Sequence, residues 1–231
     1  MFVVRLMKCL VRLTPLCMVL VIAASAQAQD GRGPHKIIED ATTQMLAAIE
    51  NAGSYYAEDP QRFYVEVGLI LDPIVDFTSF ARGVMGYHGS TEAYRELQSK
   101  EEKTAFKARI TLFSGKFRQT LVQTYSKGLI TFSNGRVDVV PADAAAVALI
   151  EAGKSVQVRQ LIYGDAAEPF EVLYKLAPNK KREWKLRNVV IDNINLGKVY
   201  QGQFTSAVRD AGGDVDAAIA NWSLSADPAE A

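Results

Sequence analysis

Asp72 and Asp76 stand one helical turn apart, and a carboxylate pair at that spacing can divide general acid and general base work between its members. Their neighbours assign them a structural task instead. Asp72 directly precedes Pro73, the order of an N-cap and a first helical position, and Asp76 then falls in the first turn, where negative charge meets the positive end of the helix dipole. The histidines offer less. His35 sits in a Gly/Pro leader and His88 in a Gly-flanked loop, neither with a second histidine or cysteine at ligand spacing, so the pattern gives no metal site. No G-x-S-x-G elbow, Walker loop or dinucleotide fingerprint occurs, and nucleophilic catalysis has no evident candidate.

The two cysteines, Cys9 and Cys17, fall in a segment that reads as a secretory signal peptide, residues 1–28. Arg5, Lys8 and Arg12 precede an apolar run from Leu13 to Ala24, and Ala26-Gln27-Ala28 supplies the small residues a signal peptidase reads. That run is short of the ~20 residues a spanning helix needs. Removing the segment takes away both thiols, so the exported chain would hold no disulfide and no thiolate chemistry. It also turns a balance of 26 basic and 26 acidic residues into 23 against 26, a formal charge of −3. No basic footprint for nucleic acid exists. Stability has to come from a hydrophobic core, which a chain of this length can build.

The elements that must form that core follow from periodicity. His35 to Ala52 places Ile37, Ile38, Ala41, Met45, Leu46 and Ile49 on one stripe of an amphipathic helix. Asp59-Pro60 and Asp72-Pro73 predict two short helices over 60–71 and 73–84, and Gly83, Gly86 and Gly89 then break the pattern. A shorter helix over Thr91 to Gln98 is expected before an S-x-x-E capping box at Ser99 and Glu102. From there Phe106, Ile110, Phe113, Phe117, Leu121, Tyr125 and Leu129 recur at three- or four-residue steps, predicting a helix over about 100–130. Its aromatic face suits either a filled core or the wall of a ligand space.

After the turn signal Asn134-Gly135 the period changes. Val156, Val158 and Ile162 alternate with Gln157, Arg159 and Leu161, and Phe170, Val172, Tyr174 and Leu176 with Glu171, Leu173 and Lys175; a third strand puts Trp184, Leu186 and Val190 on one face. Antiparallel hairpins with one polar face need cover on the other, and the preceding helices supply it, so the fold class is α+β. Val199 to Ala218 returns to helical spacing, and residues 223–231 read as a disordered tail.

The residues Leu71-Asp72-Pro73-Ile74-Val75-Asp76-Phe77, then Ala81-Arg82-Gly83-Val84-Met85-Gly86-Tyr87, then Phe113, Phe117-Arg118, Leu121, Tyr125 and Leu129 resemble the periplasmic phospholipid-binding component of Mla-type lipid transport, the toluene-tolerance family. Trp184-Lys185, Val189-Val190-Ile191, Leu196, Tyr200 and Phe204 continue the resemblance in order, which spans about 35–222. Gly89 stands where the family usually carries Trp, and Gln201 where Arg is common.

The resemblance implies a curved antiparallel sheet related to nuclear transport factor 2, covered by helices, within a domain over 29–222 that carries a small helical subdomain inserted at 56–104. It implies a periplasmic carrier with no cofactor, holding glycerophospholipid as cargo with the acyl chains inside. Its partners would be an outer-membrane lipoprotein and porin complex and an inner-membrane ABC transporter with a mammalian-cell-entry-type domain, in the service of outer-membrane lipid asymmetry. Val75, Met85, Phe113, Phe117, Leu121, Tyr125, Val156, Val158, Ile162, Val172, Tyr174 and Val190 are the expected lipid contacts. Two rivals stay open from the residues: an enzyme on the same type of fold acting on an apolar substrate, which would need an isolated inward carboxylate, and a structural protein with a filled core.

Overall fold

The computed structural model describes residues 33–130, 135–164 and 168–222. The expected signal peptide, the tail at 223–231 and Asn134 of the expected turn lie outside them. Among the described residues, seven of the eight α-helices, all but the first, open on a side chain that accepts from a first-turn amide. Helix α1 (Pro34–Ala52) opens on a proline after Gly33. Asp59 caps α2 (Pro60–Leu71), accepting from the Arg62 amide at 3.1 Å, and Ser90 caps α4 (Thr91–Glu96). The capping box at Ser99 and Glu102 opens α5 (Lys100–Leu129), with both reciprocal hydrogen bonds formed. Asp143 caps α6 (Ala144–Glu151), in the Ala-rich stretch, and Asn195 caps α7 (Leu196–Asp210).

Between α2 and α5 the cap differs from expectation. Asp72 ends α2, and α3 (Phe77–Val84) is capped by Asp76, whose carboxylate accepts from the amide and hydroxyl of Ser79 at 2.9 and 2.6 Å. Sheet pairing is the cause. Leu186 donates to the Ile74 carbonyl and accepts from the Asp76 amide, both at 2.8 Å, so Val75 is held in a parallel bridge beside a strand and a helix does not begin at Pro73. After α3 a 3-10 turn over Gly86–Gly89 brings the backbone against itself. A Cβ on Gly89 would meet the Arg82 carbonyl at 2.7 Å and the Met85 Cβ at 2.9 Å, so no side chain fits there.

The sheet is an open antiparallel meander in the order β1 (Val137–Val139), β2 (Val156–Ile162), β3 (Phe170–Pro178), β4 (Trp184–Ile191), β5 (Ile194–Asn195). The short strands β1 and β5 carry too little periodicity to be read from sequence. Leu176 pairs with Leu186 and Lys175 with Asn188, leaving Arg187 as an extra residue on β4. This bulge reverses the alternation beyond it. Val189 and Ile191 therefore share the inner face with Leu186, and Val190, expected there, lies opposite Leu173 on the outer face. The expected helix over Val199 to Ala218 is likewise two, α7 and α8 (Val215–Ala220), separated by Gly212 and Gly213 at φ 65° and 92°.

Packing explains where the chain is full and where it is not. The N-terminal two-thirds of α5 meets α3, α7 and α8, and Phe80, Phe106, Phe113, Phe117, Tyr200, Phe204 and Trp222 interlock there, all under 9% exposed. Most of the ring contacts are edge-to-face or tilted, as for Phe113 against Phe204 at 4.8 Å. A second cluster joins α1, α2 and α5 through Ala52, Phe63 and Val67, and a third joins Ile38 and Val75 to Val158, Leu176 and Leu186 on the sheet. Among the described residues no helix is long and apolar enough to cross a membrane.

Candidate functional site

Between those three clusters the elements do not close. A cavity of about 430 Å³ remains, walled by α1, the α2–α3 turn, the C-terminal part of α5 and the inner face of the sheet. This is within the range of small-molecule sites. Ile38, Met45 and Ile49 from α1, Leu71, Val75 and Phe77 from the α2–α3 region, and Leu121, Val122 and Leu129 from α5 face Ile162, Val172, Leu186, Val189 and Ile191 across it. Leu46, 37% exposed, and Gly128 are the exposed wall residues, while Ile38, Val75, Phe80, Leu186 and Leu196 are buried. The gradient puts the mouth beside the C-terminal half of α1 and the end of α5, with Val137 and Ile162 nearby.

Polar groups on the wall are few, and they bond to one another. The Tyr174 hydroxyl donates to Gln160 Oε1 at 2.7 Å, Gln160 Nε2 donates to Thr42 Oγ1 at 2.7 Å, and the Thr42 hydroxyl donates to the Ile38 carbonyl at 2.7 Å. This relay crosses from β3 through β2 to α1. Burial pushes the Tyr174 hydroxyl far above its ordinary range, so it stays a proton donor. Deeper in, the hydroxyls of Tyr125 and Tyr200 lie 2.6 Å apart. Among the described residues of the wall there is no Asp, Glu, His, Lys or Arg.

Six of the twelve expected contacts meet here: Val75, Leu121, Tyr125, Ile162, Val172 and Tyr174 all border the cavity. Met85, Phe113 and Phe117 do not, because α3 and α7 fill the space in front of them. Val156 and Val158 are buried on the inner face of β2 without reaching the cavity, and Val190 faces away from it. Sequence reasoning left out the α1 stripe, Leu129, Val189, Ile191 and Gln160. The stripe and Leu129 were legible as apolar faces; the β4 pair was hidden by the bulge.

The two aspartates lie together at a separate cleft of about 320 Å³ lined also by Thr78, Asn179 and Lys185. Both are engaged. Arg118 donates to Asp72 through two nitrogens at 2.5 and 2.7 Å, and Asp76 pairs with Arg187 at 3.5 Å besides capping α3. Asp72 is taken up by the Arg118 guanidinium and Asp76 by the Ser79 amide and hydroxyl, so both carboxylates serve to hold the corner between α2 and α3. His88 packs against Tyr87 and Phe204, and burial lowers the His35 pKa.

The sequence profile described as MlaC protein matches residues 39–223. The chain belongs to the MlaC family. A relative within reach of that assignment is the toluene tolerance protein ttg2D of Pseudomonas putida, 29% identical over 189 residues that cover 82% of this chain and 79% of that protein. Among solved structures, a phospholipid-binding protein from Ralstonia solanacearum, determined in complex with a phospholipid, superposes with a TM-score of 0.60. It is 21% identical over 82% of this chain and 94% of its own, which shows that the MlaC-family chain shares its fold.

Proposed function

We propose that this MlaC-family protein is a periplasmic carrier that holds the acyl chains of a glycerophospholipid in the cavity between α1 and the sheet. The apolar wall carries the reading. Drawing an acyl chain out of a bilayer exposes methylenes at about 0.8 kcal/mol each, so a carrier has to offer an interior as dry as lipid. Here the side chains that meet the space are aliphatic and aromatic, the few polar ones are mutually hydrogen-bonded, and one side opens to solvent. Val75, Leu121, Tyr125, Ile162, Val172 and Tyr174, with Ile162 at the mouth, are the proposed acyl contacts.

Family membership and the phospholipid in the Ralstonia structure support the same cargo. The carrier would exchange lipid between an outer-membrane lipoprotein and porin complex and an inner-membrane ABC transporter bearing a mammalian-cell-entry-type domain. Residues 1–28 would direct export, 29–222 would form the lipid-binding domain, and 56–104 its helical insertion.

The test is recovery of cargo. Protein purified from the periplasm without detergent, extracted with organic solvent and analysed by lipid mass spectrometry, is expected to yield diacyl glycerophospholipid in stoichiometric amount. Folded protein with no stoichiometric lipid would leave a filled or water-filled core and end the carrier reading.

A further inference from the structure

Gln160 is 3% exposed and borders a cavity whose wall is otherwise almost wholly apolar. A carboxamide in that position demands an account, since its two N–H groups and its oxygen all need partners. The structure fixes its orientation. Thr42 Oγ1 spends its only proton on the Ile38 carbonyl, so toward Gln160 it must accept, which turns Nε2 to Thr42 and leaves Oε1 for the Tyr174 hydroxyl. One N–H is used by Thr42. The other has no protein acceptor among the described residues, and a saturated hydrocarbon chain in the cavity could not supply one.

From this unused donor we propose that Gln160 is the ester reader of the cavity, its second N–H donating to an acyl-ester carbonyl of the bound lipid. The inference rests on the carrier reading and adds to it a linkage preference and a fixed depth. Depth follows from the sheet. Ile162 pairs with Val137 at the mouth. Gln160 is two residues inward on the same face of β2, about 7 Å at the usual strand rise. A phosphate held at the level of the mouth places the ester carbonyls of a glycerophospholipid a few bonds inward, at the carboxamide. An ether-linked chain has the same length and apolarity and no carbonyl, so it forfeits the bond.

The same relay also ties α1 to the sheet, and the test separates that tie from cargo recognition. Delipidated protein is titrated with dioleoyl phosphatidylcholine and with its dialkyl counterpart of equal chain length, each competing against a fluorescent phospholipid. Wild type is expected to favour the ester lipid about 3- to 10-fold, the size of one net hydrogen bond. Gln160→Met should bring the two affinities within about 1.5-fold of each other. Thr42→Val cuts the tie to α1 but leaves the carboxamide on Tyr174, and should keep the preference. Gln160→Asn, one methylene short, serves in place of Gln160→Met if the latter does not fold. Equal affinities in wild type, or equal loss of preference in the Thr42 and Gln160 variants, would overturn the proposal alone. Failure of wild type to bind either lipid would overturn the carrier reading beneath it.

Discussion

Arg118 clasps Asp72 with two parallel hydrogen bonds, of 2.5 Å from Nε and 2.7 Å from Nη2, and so fastens the end of α2 to the middle of α5. The guanidinium also lies 5.9 Å over the Phe77 ring and close above Gly68, where a Cβ would come within 2.6 Å of Nη2. One side chain thus holds the corner at which α2 turns toward the sheet. That corner carries Leu71, Ile74 and Val75 onto the cavity wall.

Both partners are partly exposed, 43% for Asp72 and 37% for Arg118, so the pair is worth little in Coulomb energy and its value lies in bidentate geometry. Asp72→Asn and Asp72→Ala should each lower stability by about 0.5–1 kcal/mol, read by thermal melting. The near equality is the point: at a helix N-cap, Asn would hold and Ala would fail. Adding Arg118→Ala to either should cost less than the sum of the two single effects.

At Asp76 the expectation is the opposite one. Its carboxylate accepts from Ser79 N at 2.9 Å, so Asp76→Ala should cost about 1 kcal/mol, while Asp76→Asn retains an acceptor and loses chiefly the attraction to Arg187 at 3.5 Å. Melting temperatures in the order wild type, Asn, Ala are predicted. Asn and Ala falling equally would show that the charge, and not the cap, is what matters.

The bulge at Arg187 gives a one-residue contrast. Ile191 faces the cavity and Val190 the opposite side, beside Leu173 and the Arg159–Glu171 pair. Arg at 191 would have to bury an unpaired charge, at a cost of several kcal/mol, and should abolish bound lipid on extraction. Arg at 190 reaches solvent and should leave lipid in place. Loss of lipid from both variants would refute this register.

Acid should loosen α8 before the rest. Arg109 donates two hydrogen bonds to Asp216, at 2.7 and 2.6 Å, and these hold the Asp216 carboxyl below its usual pKa. A carboxyl with a depressed folded pKa contributes stability above its unfolded value, about 3.9, and loses it as pH falls from there through the folded value. Trp222 follows α8 and packs on Phe113 at 5.2 Å. In a Trp184→Phe background its fluorescence should change below about pH 4 ahead of the far-ultraviolet circular dichroism. In Asp216→Asn the early change should vanish, and the protein should be slightly less stable at neutral pH.

What the sequence determined by itself is local. Caps at Asp59 and Ser99, the 3.6-residue stripes of α1 and α5 and the alternation in β2 and β3 are set by bonds and spacings within a few residues, and each stands where the sequence puts it. The α+β class was legible for the same reason, since it rests on those helices and hairpins in their order along the chain. What tertiary structure decided is which apolar face is filled. Phe113, Phe117, Leu121 and Tyr125 belong to one stripe of α5, yet the first two are sealed by α3 and α7 while the last two look across a gap at the sheet. Nothing within α5 distinguishes them, because the difference lies in residues that arrive from elsewhere in the chain. The same holds for Asp72, which lost its cap to the Leu186 backbone, and for Val190, turned outward by one unpaired residue. A cavity is a property of the distance between elements, and that distance is fixed by long-range contacts that no local spacing encodes.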